Sequence, residues 1–229
     1  MTRIPFWKMH GAGNDFILVD DRESCFPAQN AVAVADLCRR RTGIGSEGLI
    51  LLQGSEVADF RMQFFNPDGG EVGMCGNGAR CVARLGFDIG AATERMTIET
   101  RAGILHAAVC DESVCLELPP PLLVEHGLSL TLPTGEGLEY AFLNTGVPHV
   151  VIQTDTVEDY PVEEHGRAVR QHAAFSPDGA NVNIVSIQDE RHMAVRTYER
   201  GVEGETLACG TGITACAVVA VQQGLVRSP

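Results

Sequence analysis

The stretch Met74-Cys75-Gly76-Asn77-Gly78-Ala79-Arg80-Cys81, running on through Val82-Ala83-Arg84-Leu85 to Gly86, decides the reading of this chain. It returns near the other end as Ala208-Cys209-Gly210-Thr211-Gly212-Ile213-Thr214-Ala215-Cys216, followed by Ala217-Val218-Val219-Ala220-Val221. Each copy places a cysteine before a Gly-x-Gly turn that opens onto a helix. Glycine lets the backbone turn tightly and aim several N–H groups at one point, and a helix N-terminus adds partial positive charge there. Such a cradle holds a carboxylate and is expected to lower the pKa of the neighbouring thiol toward thiolate. A single Cys-Gly-x-Gly reads as readily as a small buried residue at a strand-to-helix turn. A matched pair points to two opposed thiols around one substrate.

The duplication favours two similar halves in this chain of 229 residues. The boundary is expected at Pro119-Pro120-Pro121, which breaks regular structure, giving domains 1–118 and 119–229. Hydrophobic residues at 45% suffice for real cores. Seventeen Lys plus Arg against 30 Asp plus Glu give a net charge of −13, which repels phosphate backbones and anionic membranes. Nucleic acid and membrane are therefore excluded as partners. The start, Met1-Thr2-Arg3-Ile4-Pro5-Phe6-Trp7-Lys8, has no apolar signal core, and no later run is long enough to span a bilayer. The eight cysteines are thus expected in a reducing cytoplasm. Cys25, Cys38, Cys110 and Cys115 lack zinc-type spacing, so no metal site is expected.

In order, Phe6–His10 and Phe16–Asp20 read as strands around the turn Gly11-Ala12-Gly13-Asn14-Asp15. Ala31–Arg41 reads as a helix whose Arg39-Arg40-Arg41 would complement its dipole. Strands follow at Leu49–Leu52 and Asp59–Phe65, with a turn at Asn66-Pro67-Asp68-Gly69-Gly70-Glu71. After the first cysteine helix come strands at 96–100, 103–109 and 113–118. The second half carries strands at 138–144, 149–152, 181–187 and 193–198, a helix near 163–172, and the second cysteine helix. His149 lies in Thr145-Gly146-Val147-Pro148-His149, and on its own reads as a hydrogen-bonding core histidine. Glu199-Arg200 on its own reads as a surface ion pair.

Met74–Cys81, taken with Glu199-Arg200-Gly201-Val202-Glu203-Gly204-Glu205-Thr206-Leu207-Ala208-Cys209-Gly210-Thr211-Gly212, closely resembles the diaminopimelate epimerase family, and the resemblance runs from Lys8 to about Leu225. It implies an α+β fold of two similar domains, each a mixed β-sheet or barrel wrapped around a central helix, with the active site in the cleft between them. It implies a homodimer and cofactor-independent epimerisation of LL-diaminopimelate to the meso form, in lysine and peptidoglycan precursor synthesis. No cofactor is expected. Cys75 and Cys209 become the two acid/base thiols, Cys75 serving the LL substrate and Cys209 the meso form, while His149 and Glu199 move protons to and from them. Two bases are needed because one base on one face tends to return the proton where it came from. Gly76, Asn77, Gly210 and Thr211 would hold the α-carboxylate through their N–H groups. Asn14, Asn66, Asn181 and Arg200 would hold the distal ammonium and carboxylate. Two departures stand out: Glu47 where members often carry Asp, and Val147 where some carry Asn, with Asn144 the available substitute.

Strands follow the first cysteine helix, whereas the chain stops at Pro229 soon after the second. Internal symmetry therefore predicts a second domain lacking its closing strands, with an open edge and an exposed helix flank. That leaves two alternatives: an amino-acid racemase of the same scaffold, acting for instance on histidine, and an inactive carboxylate-binding paralogue.

Overall fold

The computed structural model describes residues 3–118 and 120–228, so Pro119 of the expected proline break, with Met1, Thr2 and Pro229, lies outside the described residues. The chain divides into two compact units, Met1–Leu118 and Pro119–Pro229.

The first unit runs β1 (Trp7–Gly11), β2 (Asn14–Asp20), α1 (Ala31–Cys38), β3 (Leu49–Gln53), β4 (Phe60–Phe65), β5 (Glu71–Val72), α2 (Gly76–Asp88), β6 (Arg95–Thr100), β7 (Gly103–Cys110) and β8 (Ser113–Glu117). Its strands form one mixed sheet in the order β1-β2-β3-β4-β6-β7-β8, with β5 paired to β4. Parallel pairing joins β2 to β3 and β4 to β6. The run Phe16-Ile17-Leu18-Val19 is continuously apolar because both faces of the sheet are covered. Phe16 and Leu18 share a core with Ala79, Val82 and Leu85 of α2, while Ile17 and Val19 share the opposite one with Val34 and Cys38 of α1.

The second unit runs β9 (Leu122–Thr131), β10 (Gly137–Asn144), β11 (Pro148–Gln153), α3 (Val162–Arg170), a 3-10 turn (Ala173–Phe175), β12 (Asn181–Ile187), β13 (Met193–Glu199), β14 (Gly204–Thr206) and α4 (Gly210–Gln222). The sheet order is β14-β13-β12-β11-β10-β9, with β11 and β12 parallel. Again both faces are covered. Val150, Ile152, Val182 and Ile184 pack with Val162 and Val169 of α3, and Val151 and Val185 with Ala215, Cys216 and Val219 of α4.

The internal repeat is now explicit. From β1 to α2, and again from β10 to α4, the order is an antiparallel hairpin, a crossover helix, a strand parallel to the hairpin's second strand, an antiparallel strand, a very short strand, and a 13-residue helix. Both closing helices begin immediately after a cysteine in extended conformation, Cys75 and Cys209.

The arginine triplet does not end α1 as expected. That helix stops at Cys38, because the following loop folds back and the N–H groups of Ile44 and Gly45 both take the carbonyl of Leu37, at 2.9 and 3.0 Å. Arg40 is drawn instead to Asp15, 2.6 Å away, and Arg39 to Asp36, 2.8 Å away. Three strands are additional to the sequence expectation: β5, β9 and β14. In β9 the alternation is interrupted where Leu123 and Gly127 take positive φ values of 53° and 64°, and its pairing with β10 shifts register twice. Among the described residues no helix is long and apolar enough to cross a membrane, and no three His, Cys, Asp or Glu side chains are grouped to hold a metal ion.

Candidate active site

In the first unit, Cys75 occupies the position just before α2, and its sulfur accepts from the Gly78 N–H at 3.4 Å. The β1–β2 turn brings Asn14 to it. The Asn14 carbonyl oxygen lies 3.9 Å from the Cys75 sulfur and accepts from the Asn77 side-chain amide at 3.2 Å. The Asn14 amide donates to Glu47, whose role the sequence left open, and the Arg80 guanidinium donates to the Asn77 oxygen. Arg80 and Glu47 therefore fix the orientation of the two amides and leave the Asn14 oxygen toward the sulfur. Asp15 anchors the rim. Burial would raise its pKa, but hydrogen bonds and charge from Arg40 and Lys8 hold it below its ordinary value. Asn66 stands apart: its backbone closes the turn between β4 and β5 through bonds of 2.9 Å with Gly69 and Gly70, and its side chain is exposed.

In the second unit, Cys209 occupies the position just before α4, with the Thr211 hydroxyl 3.4 Å from its sulfur. Glu199, the last residue of β13, hydrogen-bonds the Cys209 thiol and also accepts from the Thr206 hydroxyl. Burial raises the Glu199 pKa, and the bonds from Thr206 and Cys209 offset part of that rise. The expected lowering of the thiol pKa does not hold at Cys209. Burial raises it and the Glu199 carboxylate raises it further, against the smaller pull of the Thr211 hydroxyl and the Gly212 and Thr211 N–H groups. Both shifts disfavour charge at this pair, and burial is the main cause in each. Thr211 is fixed in turn by the Thr145 hydroxyl, which donates to its carbonyl at 3.2 Å.

His149, at the start of β11, is 0% exposed. Its Nδ1 lies 3.1 Å from the Asn183 side-chain nitrogen, and its Nε2 is buried without a hydrogen-bond partner among the described residues. Burial, then the nearby charge of Arg200, lowers its pKa to about 4 against the upward pull of Asn183, so the ring is neutral at neutral pH. Asn181 is buried: its oxygen takes the Arg200 backbone N–H at 2.8 Å, and its nitrogen donates to the Pro148 carbonyl at 3.4 Å. The Asn144 oxygen accepts from the Gly146 N–H at 2.9 Å, within the turn that carries Val147. The structure thus gathers Asn14, Cys75 and Asn77 in one unit, and His149, Asn181, Glu199, Arg200, Cys209 and Thr211 in the other. Sequence reasoning singled out Glu47 without giving it a role, and missed the supporting residues Asn183, Thr197 and Thr206. Asn183 was visible as the second polar position of an alternating strand, Asn181-Val182-Asn183.

The glycines have a reason other than the expected one. Gly78 and Gly212 lack positive φ. They are required because α2 and α4 press against their sheets: a Cβ at Gly78 would sit 2.8 Å from the Ile50 Cδ1, and one at Gly212 would sit 2.2 Å from the Asn183 oxygen. Cys81 and Cys216, the second cysteines of each copy, are packing residues. Burial pushes the Cys81 thiol up to about 11 and the Cys216 thiol further still.

Residues 6–118 and 141–229 match the family model for diaminopimelate epimerase. The chain belongs to the diaminopimelate epimerase family. Membership makes it an amino-acid epimerase, an isomerase by class. A diaminopimelate epimerase of Aquifex aeolicus is 44% identical over 97% of this chain and 83% of that protein. One from Methanothrix thermoacetophila is 41% identical over 99% of this chain and 84% of its own length. Two solved structures show how widely the epimerase fold is shared. A phenazine biosynthesis protein of the PhzF family from Bacillus anthracis superposes with a TM-score of 0.72 at 18% identity, covering 96% of this chain and 81% of that one. A hydroxyproline epimerase from Agrobacterium vitis gives 0.68 at 16%, covering 97% and 78%. At such identities they speak for the α+β two-domain fold of the epimerase and not for its substrate.

Proposed function

We propose that the chain converts LL-diaminopimelate to the meso form by a two-base mechanism without a cofactor, in the cytoplasmic synthesis of lysine and peptidoglycan precursors. The observation that carries this reading is the repeat itself: a cysteine at the head of the last repeated helix in each unit, with polar partners for its sulfur. One thiolate takes the α-proton and becomes a thiol, the C–H pair staying on the α-carbon. The other thiol gives its proton to the opposite face, so the centre inverts and one proton is conserved. N–H groups of Gly76, Asn77, Gly210 and Thr211 carry the α-carboxylate and the charge that grows on it. When the reaction runs from the meso form, Glu199 takes the Cys209 proton before that thiolate acts and releases it to solvent once the α-proton has re-formed the thiol; His149 partners Cys75. Arg200, with Asn14, Asn66 and Asn181, serves the distal end of the substrate. A charged distal end separates this substrate from proline, which has no distal charge to offer such groups. The working form is read as a homodimer.

The test is α-proton exchange in deuterated water with LL-diaminopimelate, reading deuterium incorporation and meso product together. Wild type is expected to incorporate deuterium with inversion. Cys75→Ala and Cys209→Ala should each lower epimerisation by about 10³-fold or more while remaining folded. Full turnover in either variant breaks the two-thiol mechanism.

A further inference from the structure

His149 and the start of α4 share one buried side chain, Asn183. It is 0% exposed and every polar atom of it is used. Its oxygen accepts from the Thr197 hydroxyl at 3.0 Å, and its nitrogen approaches the Val150 carbonyl at 2.9 Å and the His149 Nδ1 at 3.1 Å. β12 brings it there: Asn183 pairs with Thr197 of β13 on one side, and Asn181, two residues back, pairs with His149 of β11 on the other.

The orientation of this amide is settled by chemistry. A carbonyl can only accept, so the group facing Val150 must be the NH2 end. One of its two hydrogens goes to Val150 and the other points at His149 Nδ1. An amide nitrogen has no lone pair to offer, so Nδ1 must be the acceptor, and a neutral imidazole then carries its proton on Nε2. That Nε2 is buried and has no hydrogen-bond partner among the described residues. Leaving a donor buried and unpaired costs about 1–3 kcal/mol, a cost folds accept mainly where the group has work to do.

We infer that Asn183 is a positioning residue that fixes His149 in the Nε2–H tautomer, so that the imidazole presents a hydrogen-bond donor, and not a base, to the group it serves. The inference rests on the epimerase reading for the role of His149. In that role an Nε2–H donor stabilises a thiolate, keeping its partner ready to take a proton. This makes the two proton partners unlike: Glu199 is an acceptor that pulls a proton from a thiol, and His149 is a donor that supports the sulfur once the proton has gone. The low pKa of His149 agrees, since a ring that resists a second proton stays in this single form across the neutral range. Gly212 belongs to the same device, because its missing Cβ lets α4 close to the Asn183 oxygen.

The test is the tautomer itself, read by long-range proton–nitrogen correlation on protein labelled with nitrogen-15 histidine, the His149 signals being those lost in His149→Gln. Wild type at pH 7 is expected to show a protonated Nε2 and a bare Nδ1. Protonated Nδ1 in the neutral ring overturns the inference. In Asn183→Asp a carboxylate faces Nδ1, so Nδ1 should gain a proton and the ring should stay charged to higher pH. Exchange turnover should then fall by about 10²-fold with KM changed by less than about threefold, and a new pH-dependent limb should appear near neutrality. A merely structural Asn183 would lower stability without moving the tautomer or the pH profile, and that result overturns the positioning role. The tautomer measurement needs no substrate, and its only variant, His149→Gln, serves to assign the signals. Failure of the diaminopimelate assay with the Nε2–H tautomer present would therefore fault the substrate and not the tautomer.

Discussion

The two cysteine helices are the same length and start the same way, yet their surroundings differ. α2 carries Arg80, Arg84 and Asp88 and packs against β1, β2, β3 and β4, and also against β7 and β8. α4 has no charged residue and packs against β10 to β13, leaving Ile213 43% exposed and Val218 and Val221 half-buried. At the thiols the difference is chemical. Amide groups of Asn14 and Gly78 meet the sulfur of Cys75, whereas a raised carboxyl and a hydroxyl meet that of Cys209. The shared motif therefore places a thiol at the head of a helix, and the neighbouring strands decide how that thiol handles its proton.

Removing the carboxylate gives the largest expected effect. Glu199 has a folded pKa above its ordinary value, burial being the main cause. Its working form is ionised, so the acid limb of kcat/KM should lie above the usual glutamate range and activity should fall as pH drops through it. Glu199→Gln should lose about 10³-fold in turnover and lose that limb. The stability sign is opposite. A carboxyl whose pKa rises on folding favours the folded state at low pH, and that contribution is lost as pH rises through the folded value. Glutamine escapes this loss, so the variant should be no less stable than wild type at pH 7, as urea unfolding would show. A variant with the wild-type pH profile would make the two half-sites chemically alike.

The second comparison is between glycines. A Cβ at Gly212 meets the Asn183 oxygen at 2.2 Å and its Cγ at 3.2 Å, and that amide cannot retreat without giving up the bonds to His149, Val150 and Thr197. Gly212→Ala should cost about 2–4 kcal/mol in urea unfolding. A Cβ at Gly76 meets nothing within 4 Å, so Gly76→Ala should gain up to about 1 kcal/mol from lost chain entropy. Equal costs at the two positions would return the Gly-x-Gly pair to a shared need for turning freedom.

These glycines also mark how far the sequence could be read. The duplicated cysteine helix, the strands at Phe16–Asp20 and Asn181–Ile187 and the two-layer halves are legible because continuous apolar runs and matched motifs are local signals. β9 is not legible, since Leu123 and Gly127 break its alternation. Nor is the early end of α1, which depends on a loop folding back on Leu37. In the candidate site, Cys75 and Cys209 are legible by type and spacing. The raised pKa of Cys209 is not, because it comes from burial and from a carboxylate ten residues away that β13 and β14 bring to its sulfur. Asn183 shows the limit best: nothing in its own neighbourhood announces that three strands and a helix meet there.

The smallest effect compares one arginine from each unit. Arg40 is 59% exposed and reaches Asp15 at 2.6 Å and Glu47 at 3.6 Å. Arg196 grips both oxygens of Glu205 at 2.7 Å, and also donates to the carbonyls of Val157, Glu158 and Tyr160 at 2.7, 3.0 and 3.2 Å. An exposed pair in water contributes about 0–1 kcal/mol, and salt screens it. A guanidinium that also closes a loop onto a strand adds charge-assisted bonds to carbonyls that salt does not screen away. Arg40→Gln should therefore shift the urea midpoint slightly at low salt and pH 7. The shift should vanish at high salt, and also at acid pH, because the depressed Asp15 contributes stability only above its unfolded pKa and loses it as pH falls through its folded one. Arg196→Gln should cost about 1–2 kcal/mol and keep most of that cost in salt. A salt-insensitive loss at Arg40 would mean that its side chain supports the Asn14–Glu47 contact by packing, and would bring it into the account of how the Cys75 half-site is held.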